Sequence, residues 1–246
     1  MDARTRLHAA HRMIHEGRHE ESLRELIWFH EHALEEDPAM HGVRLSFALG
    51  YWADLAQKYE PARAALDALR ERGAERLLSG QGDRALFNDV ASIDQALGQP
   101  ARTHEVYAGL RTAAPELAAA CTSLAFPAVI AAGDFELAEQ MLPDPEHLIR
   151  RQAAILVRDL QARRRWRFSK APFVVTSIHI YAEDVKRVLT VLEGRGRRQE
   201  AQRLRHLSTD LIHATTIRRA VRAALLPGAH PPWQPAILRR RRRKQA

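Results

Sequence analysis

The sequence predicts an all-α protein in which helical hairpins are stacked as repeats. Good helix formers, above all Ala, Leu, Arg and Glu, dominate the 246 residues, of which 46% are hydrophobic and only 12 are Gly. Apolar residues recur at helical spacing along most of the chain. Breaks that contain Gly or Pro divide the helical stretches at nearly regular intervals.

Helical periodicity extends through most of the chain, including one segment that also suits a strand. An apolar face at helical spacing runs from Leu45 to Leu55. The segment 173–180 is rich in β-branched residues, which are typical of strands. Its apolar positions continue at helical spacing into Val185, so we expect a helix there as well.

The breaks predict where each hairpin turns. Turns within hairpins are expected at Gly17, Gln57, Gly98, Gly133 and Gly196, at separations of 40, 41, 35 and 63 residues. Breaks between hairpins are expected at Asp37-Pro38, Arg72-Gly73, Pro115 and Pro143-Asp144-Pro145. A period of this length is typical of stacked helical repeats, and the last gap has room for an extra helix or pair of helices.

Three units carry small and aromatic residues at corresponding positions. These are Leu49, Gly50, Tyr59, Ala62 and Leu66 in the second unit, Gly98, Tyr107 and Pro115 in the third, and Gly133, Phe135, Ala138 and Leu142 in the fourth. On these residues the chain resembles the tetratricopeptide repeat family, as a motif over 42–142 and as an architecture over 4–226. The resemblance implies an α-solenoid with a right-handed superhelix. Pro127 departs from the family pattern, so we expect a kink or an early helix end there.

Domain organisation follows from where the helical pattern stops. Residues 1–226 are predicted to form the repeat domain. Residues 227–246 are predicted to form an extended tail, because the Pro-rich stretch 227–235 is unable to sustain a helix and a basic run, 239–244, follows it.

Charge is divided unequally along the chain. Residues 1–149 hold 14 basic and 24 acidic residues, whereas residues 150–246 hold 24 basic and 6 acidic residues. The asymmetry offers a route to homo-oligomers through attraction between opposite charges. The excess of 34 Arg over 4 Lys is typical of a GC-rich, bacterial genome.

Cysteine usage and the start of the sequence predict a cytoplasmic protein. The one cysteine, Cys121, excludes an intrachain disulfide, and its apolar surroundings favour a buried thiol over a nucleophile. Charged residues stand where a signal peptide would have its apolar segment. No uncharged run reaches the roughly 20 residues of a transmembrane helix.

One string has the form of a catalytic motif. His15, Glu16 and His19 spell the zinc-protease pattern HExxH, which requires both histidines on one face of one helix. Gly17 lies between them at a predicted turn, so that spacing is expected to be broken. A zinc hydrolase is therefore the third hypothesis, and the sequence predicts no enzyme, no cofactor and no metal site.

The leading hypothesis is a scaffold or adaptor that binds a protein or peptide. In a solenoid the first helices of successive hairpins line the concave face. Outward polar residues of these helices are predicted to contact the ligand, and they are Arg44, Tyr51, Asp54, Arg84 and Asn88. The alternative interpretation of these residues is a solvated polar face without a ligand.

The second hypothesis is RNA or DNA binding by the basic half. Arginines beside aromatic residues could neutralise phosphates and stack on bases. The candidates are Arg163, Arg164, Arg165, Trp166, Arg167, Arg195, Arg197, Arg198, Arg239, Arg240 and Arg241. An acidic protein surface or an anionic membrane surface is the competing partner for the same charges.

Overall fold

The fold is helical throughout the part of the chain that the structure describes. The computed structural model describes residues 2–163 and 170–229, and every regular element within these ranges is a helix. The all-α prediction is confirmed for these residues. The segment 173–180 lies within a helix that spans Lys170–Gly194, as expected from its periodicity. The predicted tail lies outside the described residues from position 230 onward.

Contacts divide the chain into two compact units, Met1–Ala132 and Gly133–Ala246. The helices of the first unit are α1 (Ala3–His15), α2 (His19–Glu36), α3 (His41–Val43), α4 (Leu49–Ala56), α5 (Glu60–Leu78), α6 (Arg84–Leu97), α7 (Pro100–Ala113) and α8 (Pro115–Ala131). A 3-10 turn, Pro38–Met40, precedes α3, and a π-helical segment, Arg44–Ala48, joins α3 to α4.

All five turns predicted within hairpins lie between two helices. Glycines at four of them have positive φ: 78° at Gly17, 68° at Gly98, 78° at Gly133 and 75° at Gly196. After Gly98 the N–H of Gln99 donates to the carbonyl of Asp94 at 2.8 Å, which is the closing hydrogen bond of a Schellman motif. Glycine stands here because side chains disfavour the left-handed region.

The break predicted at Arg72-Gly73 is wrong, because α5 continues through both residues. Gly73 instead marks a close approach between α5 and α6, where an added Cβ would lie 2.7 Å from Val90 Cγ2. The chain breaks further on, at 79–83, where Gly80 has a φ of 77°. The other three breaks between hairpins occur as predicted.

Helices of the first unit pack in chain order. The two helices of each hairpin pack on each other, α5 packs on α6, and α7 packs on α8. Contacts also join alternate helices, because α4 packs on α6, α6 on α8, and α5 on α7. Three of the repeat-motif residues of the second unit, Leu49, Ala62 and Leu66, are buried. Trp52 packs beside them and donates its indole N–H to the Ala62 carbonyl at 2.9 Å. The small side chain of Ala62 therefore leaves room for the Trp52 ring of the neighbouring helix α4.

Helix α8 passes through Pro127 and ends only at Ala131. The early helix end expected at this proline is therefore wrong. Pro127 lies on the exposed side of the helix. Cys121 lies on the opposite, buried side, where burial raises the pKa of its thiol.

A buried ion pair links three helices of the first unit. The Asp94 carboxylate on α6 is fully buried and accepts three hydrogen bonds from the Arg70 guanidinium on α5, of which the shortest, from Nε, is 3.0 Å. It also accepts one from the Thr103 hydroxyl on α7 at 2.9 Å. Arg70 in turn donates to the Arg102 carbonyl at 2.8 Å. The buried charges are thus paired and hydrogen-bonded, as burial requires.

The second unit is built around one long helix. Its helices are α9 (Phe135–Gln140), α10 (Pro145–Arg163), α11 (Lys170–Gly194), α12 (Arg198–Asp210) and α13 (Thr215–Ala224). The other four all pack against α11. Tyr181 of α11 is buried and donates its hydroxyl to the Ser208 carbonyl at 2.7 Å. The gap from Gly133 to Gly196 holds three helices, so the extra helix predicted there is present.

Candidate functional site

The candidate site lies on the first helices of the hairpins in the first unit. Tyr51 and Asp54 lie on α4, and Arg84 and Asn88 lie one turn apart on α6. Tyr51, Asp54 and Asn88 are half-buried and Arg84 is exposed. These four side chains therefore reach the surface of the unit to differing extents.

A ring stack joins α1 to α4 at this surface. The His11 imidazole lies on the Tyr51 ring with the centroids 4.0 Å apart and the planes at 19°. Partial burial, followed by the positive charge of His15, lowers the pKa of His11, whereas the Asp54 carboxylate acts in the opposite direction. The stack holds the imidazole in a fixed plane beside a carboxylate. His11 was not among the site residues predicted from the sequence, although its spacing of four residues from His15 places both on one helical face.

Arg84 makes the corresponding link from α6 to α8. Its Nε donates to the Ala120 carbonyl at 3.1 Å, while the side chain stays exposed. This hydrogen bond orients the guanidinium without using a carboxylate of the described residues. The terminal nitrogens of such a group suit bidentate binding of a carboxylate.

Arg44 differs from the outward position that the sequence suggested, because the structure buries it. Its side chain lies in the π-helical segment, where Nη2 contacts the Asp89 carboxylate at 2.6 Å. Nη1 donates to His30 Nε2 at 3.0 Å. Arg44 therefore holds the π-helical segment against α2 and α6.

His30 is the neutral partner in this buried cluster. Burial and then the positive charge of Arg44 lower the pKa of His30 to about 4, against a smaller raising effect of Asp89. A cavity of about 120 Å³ lies beside the imidazole, with Trp52 also in its wall. This volume is below the roughly 300–1,000 Å³ of typical ligand pockets. The cluster therefore fits a structural role better than ligand binding.

Phe47 is a surface feature that sequence analysis did not single out. It lies in the π-helical segment, four positions before Tyr51, and 64% of its surface is exposed. Leu45 and Leu49, two positions to either side, belong to the apolar face predicted from the sequence. An apolar residue between them gave no sign in the sequence that it would be exposed. Exposed aromatic residues are typical anchors of protein interfaces.

The HExxH string does not form one helical face. Helix α1 ends at His15 and α2 begins at His19, with Gly17 at positive φ between them, as predicted. Within 2–163 and 170–229 no three His, Cys, Asp or Glu side chains are grouped to hold a metal ion. The zinc-hydrolase hypothesis therefore receives no geometric support from its own residues.

Two of the candidate anion-binding arginines are paired with acidic side chains. Arg195 and Arg197 both contact the Glu139 carboxylate, each at 2.8 Å, and their hydrogen bonds lower the pKa of that carboxyl. Arg198 is exposed on α12. The Arg163 side chain lies outside the described residues, as do Arg164, Arg165, Trp166, Arg167, Arg239, Arg240 and Arg241.

Comparison with known proteins does not assign the chain to a family. No family model, curated protein or solved structure matches it. Within the described ranges, no helix combines the length and apolar character needed to cross a bilayer. The function is therefore inferred from the side chains themselves.

Proposed function

We propose that the first unit is a short stack of tetratricopeptide-like hairpins that binds a peptide or protein partner. Its ligand-binding surface, the hairpin surface, consists of His11, Phe47, Tyr51, Asp54, Arg84 and Asn88. The proposal assigns no catalytic step to these residues. It places the chain in a reducing cytoplasm, which the single buried cysteine supports.

The observation that carries the proposal is an exposed aromatic beside an ordered polar cluster. Phe47 is largely exposed, and four positions later on α4 the Tyr51 ring stacks on His11 of α1. An interface typically combines a buried aromatic anchor with surrounding polar contacts. The order of helix packing supports one continuous surface, because α4 packs on α6 and α6 packs on α8.

The polar members indicate the kind of ligand. Phe47 suits an apolar side chain of the partner, whereas the oriented guanidinium of Arg84 suits a carboxylate. Asn88 lies one helical turn from Arg84 and can offer both a donor and an acceptor to a peptide backbone. A peptide with one apolar residue and an acidic group or free carboxyl end can contact Phe47, Arg84 and Asn88 in these ways.

The test is selection of peptides from a displayed random library against the full chain. Selected peptides are then titrated by fluorescence anisotropy. Burying the exposed part of a Phe contributes about 1–2 kcal/mol, so Phe47→Ala is expected to weaken binding by roughly tenfold. Arg84→Ala is expected to weaken binding most for peptides that carry a carboxylate.

Ile180→Ala is the matched control, because Ile180 is 56% exposed but lies on α11 in the second unit. It is expected to leave the affinity unchanged. Peptides that bind Phe47→Ala and Arg84→Ala as tightly as the original chain would contradict the proposal.

A further inference from the structure

Two histidines in the last turns of α1 point their ring nitrogens at each other. His11 Nε2 and His15 Nε2 lie 3.3 Å apart, and the two ring planes are nearly perpendicular at 83°. The residues are four positions apart, so they lie on the same helical face. Between neutral imidazoles this contact is a hydrogen bond in which one ring donates and the other accepts.

The separation of the two nitrogens also matches that of two ligands on one metal ion. Imidazole nitrogens bind Zn²⁺ at about 2.0–2.1 Å in tetrahedral geometry, which puts two such nitrogens about 3.4 Å apart. For the pair to bind one ion, the side chains must rotate so that both Nε2 lone pairs point at it. Both rings must then carry their proton on Nδ1, so the proton between the two Nε2 atoms transfers to Nδ1 of its own ring.

The surroundings prepare the pair for a cation. The Tyr51 ring stacks on His11 and fixes its plane, which is the effect that hydrogen-bond partners commonly have on metal-binding histidines. The Asp54 carboxylate acts electrostatically on the same imidazole. His15 is the last residue of α1, where the negative end of the helix dipole favours positive charge. His15 is also exposed, so an ion can enter from solvent.

We propose that His11 and His15 form a two-histidine site for a divalent transition metal, with water completing the coordination. Imidazole ligands select Cu²⁺, Ni²⁺ and Zn²⁺, and Cu²⁺ is bound most tightly in this series. Mg²⁺ and Ca²⁺ prefer oxygen ligands and are not bound. The site involves neither Glu16 nor His19 of the HExxH string. It shares His11 with the hairpin surface, but its metal binding is measured without a peptide, so either proposal can fail without the other.

The experiment titrates the full chain with Ni²⁺ by calorimetry at pH 7.5, with Mg²⁺ as the ion that should not bind. His15→Ala and His11→Gln are each expected to weaken the Ni²⁺ site by at least about tenfold, since even losing a ligand's supporting partner has an effect of this size. The double variant should lose little more than either single variant, because both residues serve one ion.

His206→Ala and His19→Ala are the controls. His206 is exposed on α12, and both variants should bind Ni²⁺ as the original chain does. Electron paramagnetic resonance of the Cu²⁺-loaded chain should show two nitrogen ligands that become one in His15→Ala.

The proposal is overturned if His15→Ala retains full Ni²⁺ affinity, or if the two single replacements have independent, additive effects. It is likewise overturned if His206→Ala lowers the affinity as much as His15→Ala. Circular dichroism verifies that each variant is helical. His15→Ala decides the question if His11→Gln loses helix, because His15 is exposed and ends its helix.

Discussion

At the scale of single residues, His30 shows how one arginine fixes the protonation of a buried imidazole. A guanidinium only donates hydrogen bonds, so His30 Nε2 accepts from Arg44 and the ring proton stands on Nδ1. Protonating Nε2 would break this bond and place a second cation beside the first. Burial adds to the cost, because it removes the water that would solvate the new charge.

The stability of the chain is therefore expected to fall on acidification. The pKa of His30 is about 4 in the folded chain and about 6.5 when unfolded, so the unfolded state binds more protons between these values. The contribution of neutral His30 to the free energy of unfolding is fully present above pH 6.5. It is lost as the pH falls through 4, which lowers the free energy of unfolding by up to about 3 kcal/mol. Urea unfolding at a series of pH values measures the change. His30→Gln should flatten the dependence in this window, and an unchanged slope in that variant would refute the assignment.

Asp94 is expected to be costly to replace, because Asp94→Ala leaves the Arg70 guanidinium buried without its main partner. The free energy of unfolding should fall by about 3–5 kcal/mol. Glu21→Ala removes a solvent-exposed partner of Arg18 and should cost far less, because water screens that pair. Chemical denaturation of both variants provides the comparison. Equal losses would show that the buried pair contributes no more than the exposed one.

At the scale of elements, the sequence predicted helices and turns better than it predicted which residues face solvent. Turn glycines are recognisable because few other residues tolerate positive φ. The sequence alone does not distinguish Gly73 from a turn glycine. A glycine is needed there because α6, which comes later in the chain, packs closely against α5 at this point. Arg44 was misplaced because a π-helical segment adds a residue to the turn and rotates the face that a regular helix would present.

Pro127 provides a prediction about α8. The proline interrupts the backbone hydrogen bonds of a helix that nevertheless continues, and its ring is exposed rather than packed in the core. Pro127→Ala restores a donor without opening a cavity, although it also frees the unfolded chain. We expect a net gain of about 1–2 kcal/mol in thermal or chemical unfolding.

Ser123→Pro is the opposite control for this prediction. Ser123 is exposed and lies one helical turn before Pro127 on α8, so the replacement adds a second proline on the same side of the helix. It removes one more backbone donor and should destabilise the chain. A loss of stability in Pro127→Ala would contradict the prediction.

At the scale of the whole molecule, charge distinguishes the two units. The first unit carries 14 basic and 19 acidic residues, and the second carries 24 basic and 11 acidic residues. The sequence revealed this asymmetry but not its pairing, because Glu139 lies more than 50 residues before the arginines that contact it. Nucleic-acid binding by the basic half stays a prediction, and the paired arginines reduce the charge available for it.

Removing the acidic partner should increase anion binding by the second unit. Glu139→Gln releases Arg195 and Arg197 from their shared carboxylate, so association with single-stranded RNA at low salt should strengthen. Glu136→Gln makes the same change in net charge from an exposed position on α9 and is the matched control. Filter binding over a range of salt concentrations measures both variants. Equal effects would show that net charge alone, and not release of the pair, controls binding.

The buried thiol of Cys121 can report when α8 separates from the helices packed against it. The chain has one thiol, and its side chain is fully buried. A thiol reagent can therefore react only in molecules where this helix has transiently separated from its neighbours. The rate at which Cys121 is alkylated in the original chain therefore measures how often α8 opens, and no label has to be introduced.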